Sequence, residues 1–281
     1  TVYDLLVQGA SSLLLFSDQN ISLFGDMVAT NNNNYSVDLA ATDTLFFIGG
    51  NQNISIVGNT VGTLHLGGFG AKVFDQATNV SDGVFIKPGG SLQIFSSALT
   101  LSETASFNNT GTEPVFGTLS FTGTAHTIAS TQYLQSITVP TAATITHNSD
   151  LSILSDLTIS NQGILDMQNY TITAPSSWDL SGVDTIRWTT GARIVIDQNI
   201  SSLSTGVGFG PINTTYPTME IVTNGYLFLS DNLYINDSDS LIINEGFLSG
   251  NFSILTLGIE SAVEVKAGTF ECESCDIGMG N

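Results

Sequence analysis

Met219-Glu-Ile-Val-Thr-Asn-Gly225-Tyr-Leu-Phe-Leu-Ser-Asp-Asn232-Leu-Tyr-Ile235 is followed by Leu241-Ile-Ile-Asn-Glu-Gly246-Phe-Leu-Ser-Gly-Asn251-Phe-Ser-Ile254 and then by Val263-Glu-Val-Lys-Ala-Gly268-Thr-Phe-Glu-Cys-Glu-Ser-Cys275-Asp-Ile277. Each copy reads as a short alternating strand, a turn at Gly, a second alternating strand, a turn at Asn or its equivalent, and a third strand. The copies recur with a period of about 22 residues, in the range of solenoid repeats. Alternate side chains of a strand point to opposite faces, so Met219/Ile221, Leu241/Ile243 and Val263/Val265 each send two apolar groups the same way. One copy cannot bury that face. Stacked copies can, each strand pairing with its equivalents about 4.8 Å above and below. Gly and Asn are expected to take the positive φ values that sharp corners require.

The pattern extends beyond these copies. Gly9-Ala-Ser-Ser-Leu-Leu-Leu-Phe-Ser-Asp-Gln-Asn20-Ile-Ser parallels Gly191-Ala-Arg-Ile-Val-Ile-Asp-Gln-Asn199-Ile-Ser, and Gly163-Ile-Leu-Asp-Met-Gln-Asn169-Tyr-Thr-Ile172 belongs to the same series. Gly163, Gly191, Gly225, Gly246 and Gly268 are expected to pile along one corner. Ala174 to Trp178 and Gly208 to Pro217 read as loops inserted at corners; Ala71 to Gly83 and Asn31 to Asn34 fit the repeat least well. The fold expected is all-β, a parallel β-helix (β-solenoid) with three strands per coil and about 22 to 25 residues per coil, continuous over residues 1–281 or cut from a longer chain. A β-sandwich would also supply many short strands, but it has no reason to return to one glycine-asparagine template.

The chain carries 5 Lys plus Arg against 25 Asp plus Glu, a net charge of −20, while charged residues make up only 11%. Such a surface repels nucleic acid and anionic membranes. No stretch of about 18 apolar residues offers a membrane span. Ten Asn-x-Ser/Thr sequons point to an extracellular glycoprotein. Glycans are expected first at Asn34, Asn79, Asn108, Asn213 and Asn236, which lie in apparent loops or outside the corner slot. At Asn20, Asn53, Asn169, Asn199 and Asn251 the corner's own demand for asparagine explains the residue equally well. Cys272 and Cys275 form half a zinc site with no histidine nearby, so a local disulfide across a corner is expected first, a cross-link to another chain second, rather than a metal. No cofactor is expected.

Catalysis would need carboxylates assembled across coils, with Asp156, Asp166, Asp179 and Asp184 the candidates and Arg187 or Arg193 beside them. No adjacent aspartate pair occurs, and the chain is read as a non-enzyme. His65, His126 and His147 have no acidic or serine partner at a recognisable spacing and are expected at the surface or facing loops. Trp178 and Trp188 flank an apparent insertion, where packing over a corner is the expected use and a sugar-stacking platform the alternative.

Units of the form Gly-x-φ-x-φ-x-x-Asn-φ-x-φ (φ here an apolar residue) resemble those of secreted right-handed β-helix surface proteins, the group of filamentous adhesins and autotransporter passengers. The resemblance implies an extracellular, structural or adhesive role and carries over no catalytic residue. A solenoid leaves strand edges at both ends, and here the repeat starts within about ten residues of Thr1 and runs nearly to Ile277 with no capping helix in the sequence. Mated ends would build a self-associating, head-to-tail filament. A glycan-binding adhesin and, behind it, a polysaccharide-active enzyme are the competing expectations.

Overall fold

The computed structural model describes residues 5–7, 13–16, 20–29, 36–39, 43–56, 60–95, 98–180, 182–204, 217–222, 224–229, 233–235, 238–250, 254–257, 260–272 and 276–279. Among these every regular element is a β-strand, and every register recorded between strands is parallel. Two compact units divide the chain, Thr1–Ile137 and Thr138–Asn281, and each is built as a parallel β-solenoid.

The second unit contains the quoted repeats. Strands Thr218–Ile221, Tyr226–Leu229 and Leu233–Ile235 make one coil; Ser240–Ile243, Phe247–Gly250 and Ile254–Leu257 make the next, and Ala262–Val265, Thr269–Cys272 and Asp276–Met279 the one after. Each strand pairs with its equivalent: Met219 with Leu241 and Leu241 with Val263, a step of 22 residues each time, Leu227 with Leu248, and Leu233 with Leu255. The first ladder continues backwards through Ile194, Ile172 and Leu151. Leu151, Ile172, Ile194, Met219 and Leu241 are all at most 1% exposed, a continuous apolar column.

The glycines act differently from expectation. Positive φ falls on the preceding residue, 68° at Asn224 and 70° at Glu245, not on Gly225 or Gly246. These glycines exist because the coils approach too closely for a side chain: a Cβ on Gly225 would lie 2.2 Å from the Ile196 carbonyl oxygen, and one on Gly268 would lie 2.3 Å from that of Gly246. Phe247 N donates to Gly225 O at 2.9 Å and Thr269 N to Gly246 O at 2.9 Å, so these three glycines do stack on one corner. Gly163 and Gly191 stand elsewhere. Gly163 opens a strand paired with Thr144–His147 and Val183–Arg187, whereas Gly191, at φ 100°, precedes the strand Arg193–Ile196 of the Met219 ladder. One template therefore serves different corners, because strand, tight turn and strand make the same local demand wherever they occur. Ala174 to Trp178 is likewise no inserted loop: Ala174 is buried and Ser177–Asp179 pairs within the sheet.

In the first unit Ile21, Leu45, Leu64, Val84, Phe107 and Ile128 form one buried column. Met27, Ile54, Phe74 and Ile94 form a second, and Val61, Val80, Leu101 and Phe121 a third. The segment Ala71 to Gly83 is paired within the coils, with a bulge between Val80 and Gly83. It escaped the pattern because its inward position is Lys72, in register between Gln52 and Leu92. Lys72 is 0% exposed; its stem lies in the core while Nζ donates to the carbonyls of Gly49 at 3.0 Å and Gly50 at 2.7 Å. One coil earlier, Gln52 Nε2 donates to Leu23 O and Gly25 O. Two polar side chains thus donate to corner carbonyls, of which Leu23 O also accepts from Ile48 N at 3.0 Å. Burial pushes the Lys72 ammonium down to about 8.

Candidate functional site

Alternation along the strands decides which sequons reach solvent. Asn20, Asn53, Asn79, Asn108 and Asn169 are exposed. Asn79 and Asn108 do not lie in loops: they are outward positions of strands Thr78–Ile86 and Ser106–Asn109. Asn199 opens strand Asn199–Ser204. Asn34, Asn213, Asn236 and Asn251 lie outside the described residues, as does Cys275; its proposed partner Cys272 closes strand Thr269–Cys272.

The four candidate aspartates fall on two ladders, with Asp156 and Asp179 on adjacent rungs of one of them. Asp156 faces Ser177, and Asp179 faces Thr158. Asp166 lies on another ladder, opposite Arg187, with Oδ1 accepting from Gln168 Nε2 at 2.7 Å. Asp184 is the extra residue of a bulge in the partner strand and accepts from the Thr185 hydroxyl at 3.2 Å.

Arg193 instead pairs with a carboxylate that the aspartate series did not include. It reaches diagonally across the ladder to Glu220, Nη1 to Oε2 2.9 Å. Asp239 approaches from the next rung, its Oδ1 accepting from Thr218 N at 3.2 Å and Thr218 Oγ1 at 3.0 Å. A depression of about 320 Å³ opens over Gly191, Arg193, Thr218, Glu220 and Asp239. Each carboxylate already has a protein partner, so the arrangement ties three rungs together. The side chain of Arg193 is 51% exposed, which holds the ion pair to at most about 1 kcal/mol.

Two of the three histidines lie inside, contrary to expectation. His126 and His147 are each 2% exposed, because alternation gives them inward positions in strands Ala125–Ser130 and Thr144–His147. Both ring nitrogens of His126 meet carbonyl oxygens, Nδ1 with Ala105 O and Nε2 with Thr122 O, each at 3.0 Å. Burial lowers its pKa and the two carbonyls pull it back up in part. His147 has no partner at Nδ1, and burial takes its pKa down to about 4. Trp178 is no stacking platform: it is 3% exposed with its Nε1–H unpaired, while Trp188 is half-buried.

His65 faces outward in an aromatic stack. Its ring lies 4.7 Å from Phe46 at 5° between planes and 5.0 Å from Phe85 at 21°, as parallel pairing of Phe46, His65 and Phe85 dictates. Lys87 Nζ sits 5.8 Å from the centre of the Phe85 ring. Burial within the stack, and secondarily the Lys87 charge, lowers the His65 pKa.

Among the described residues no group of three or more His, Cys, Asp or Glu is placed to hold a metal ion, and no helix is long and apolar enough to cross a membrane. Comparison with protein-family models, curated proteins and solved structures finds no match to this chain.

Proposed function

We propose that the chain is an extracellular structural protein, a glycosylated β-solenoid of the filamentous-adhesin or autotransporter-passenger type that associates head to tail into a filament. The observation behind this reading is the state of the last described rung. Val265 continues the inward row of Ile196, Ile221 and Ile243; those three are at most 1% exposed, but Val265 is 50% exposed. Its strand, Ala262–Val265, pairs with Ser240–Ile243 on one side, and no partner is found on the other among the described residues. An apolar rung of this ladder accepts a further parallel strand of the same period, whether from another coil of the same chain or from a second copy. A second copy of this chain offers strands of matching period and hand. The five exposed sequon asparagines fit a surface short of charge that sugar would solvate.

Electron microscopy of the natural full-length chain, purified with its glycans, tests this directly. Filaments are expected, and Val265→Asp should abolish them by placing a charge in the junction. A wild-type protein that stays monomeric at every concentration sampled would refute the reading.

A further inference from the structure

In the first unit, the geometry points to a binding site for a neutral hexose unit of a glycan, where Phe69 borders a pocket lined by the next two corners. The pocket encloses about 540 Å³ between Phe69, Pro88, Ser91, Thr112 and Glu113. Phe69 stands at the tip of Gly67-Gly68-Phe69-Gly70 and is 85% exposed, the most exposed large apolar side chain among the described residues.

The turn is built to hold the ring there. Gly68 and Gly70 have φ of 72° and 109°, and a Cβ on either would come within 2.4 Å of its neighbour, Gly49 O or Asn51 Oδ1. Gly70 N donates to Gly89 O at 3.3 Å, which ties this turn to the one below. One side of the ring packs against Gly89, where a Cβ would lie 3.2 Å from Phe69 Cδ1. Exposing an aromatic ring on a constrained turn gains the fold nothing, since the ring buries almost no area.

Ser91, 7% exposed, Thr112 and Glu113 supply the polar part of the lining. The Ser91 hydroxyl, the Thr112 hydroxyl and the Glu113 carboxylate make no hydrogen bond or ion pair within the described residues. A flat apolar ring beside Pro88, facing two free hydroxyls and a carboxylate acceptor, matches a pyranose: C–H groups on one face and hydroxyls around the rim. The carboxylate and the chain's net charge of −20 select against acidic sugars.

Saturation-transfer NMR with the methyl glycosides of glucose, galactose, mannose and N-acetylglucosamine tests the site. At least one should bind with Kd on the order of 1 mM, with transfer strongest to the C–H protons of one ring face. Phe69→Ala should weaken binding by about tenfold, while its unfolding midpoint stays at the wild-type value because the lost ring is solvent-exposed. Glu113→Gln, which keeps a hydrogen-bonding group but removes the charge, should weaken it less. The inference is overturned if none of the four binds in the millimolar range, if Phe69→Ala binds as the wild type does, or if ethylammonium chloride binds and displaces the sugar in a Glu113-dependent way, which would mark a cation site. Isolated monomers suffice for this measurement, so its outcome is independent of filament formation.

Discussion

Replacing His147 by methionine separates the cost of one buried imidazole from the general acid response of a chain with 25 carboxylates. His147 ends strand Thr144–His147, and the register that pairs Thr146 with Asp166 sets Met167, itself 0% exposed, on the rung beside it. A methionine there matches its neighbour in size and flexibility. In the folded chain the His147 pKa is lowered from 6.5 to about 4 by burial, so the folded state keeps the ring neutral while the unfolded state protonates it first. Between pH 6.5 and 4 the unfolded chain therefore binds more protons, and stability is lost as pH falls through that window. The shift corresponds to about 3 kcal/mol, fully present above pH 6.5 and gone near pH 4. His147→Met should remove this dependence and should also raise stability at neutral pH by about 1 kcal/mol, since it deletes the unpaired Nδ1. Urea unfolding of both proteins at a series of pH values reads the difference, in which carboxylates, His65 and His126 cancel. Solenoids can unfold rung by rung, so hydrogen exchange of residues 144–167 should accompany it. A stability difference between variant and wild type that changes by less than about 1 kcal/mol between pH 7 and 4 would refute the assignment of a neutral, buried ring.

Gly225→Ala should destabilise its coil by at least about 1–3 kcal/mol, because the new methyl would meet the Ile196 carbonyl at 2.2 Å and backbone cannot step aside; chemical unfolding reads this, and a neutral result would mean the corner is looser than described. Trp178→Phe should change stability by less than about 1 kcal/mol, since losing an unpaired Nε1–H offsets the lost ring volume, whereas Trp178→Ala should cost about 3–5 kcal/mol; equal costs would show that Nε1 has a partner. Glu220→Gln should lower stability by no more than about 1 kcal/mol, less in high salt, and a larger loss would make the Arg193 cleft more than a surface tie.

The strand-turn-strand rhythm was legible because apolar pairs two apart recur at the spacing that parallel stacking needs, and the pairing of Met219 with Leu241 and Val263 follows the repeat read from the chain. Lys72 hid a coil from that reading, since a pattern of apolar residues has no place for an inward ammonium whose role is to reach the carbonyls of Gly49 and Gly50. His126 and His147 differ in the opposite way: their alternation with Ile128 and Ile145 places them inward, whereas their polarity alone points to the surface. Arg193 was visible as one of two arginines, yet its partner Glu220 comes from a later coil, and no local spacing connects the two.

From the sequence alone came the parallel solenoid, its three strands per coil and the inward apolar pairs of the Met219, Leu241 and Val263 copies, because those are properties of period and polarity along one chain. The structure alone decided which corner each glycine occupies, which sequons face outward from strands, and that Phe69 borders one pocket with Ser91 and Glu113. The physical reason is that neighbours in a solenoid stand one coil apart along the chain, and the lateral offset between coils depends on every bulge and turn that intervenes.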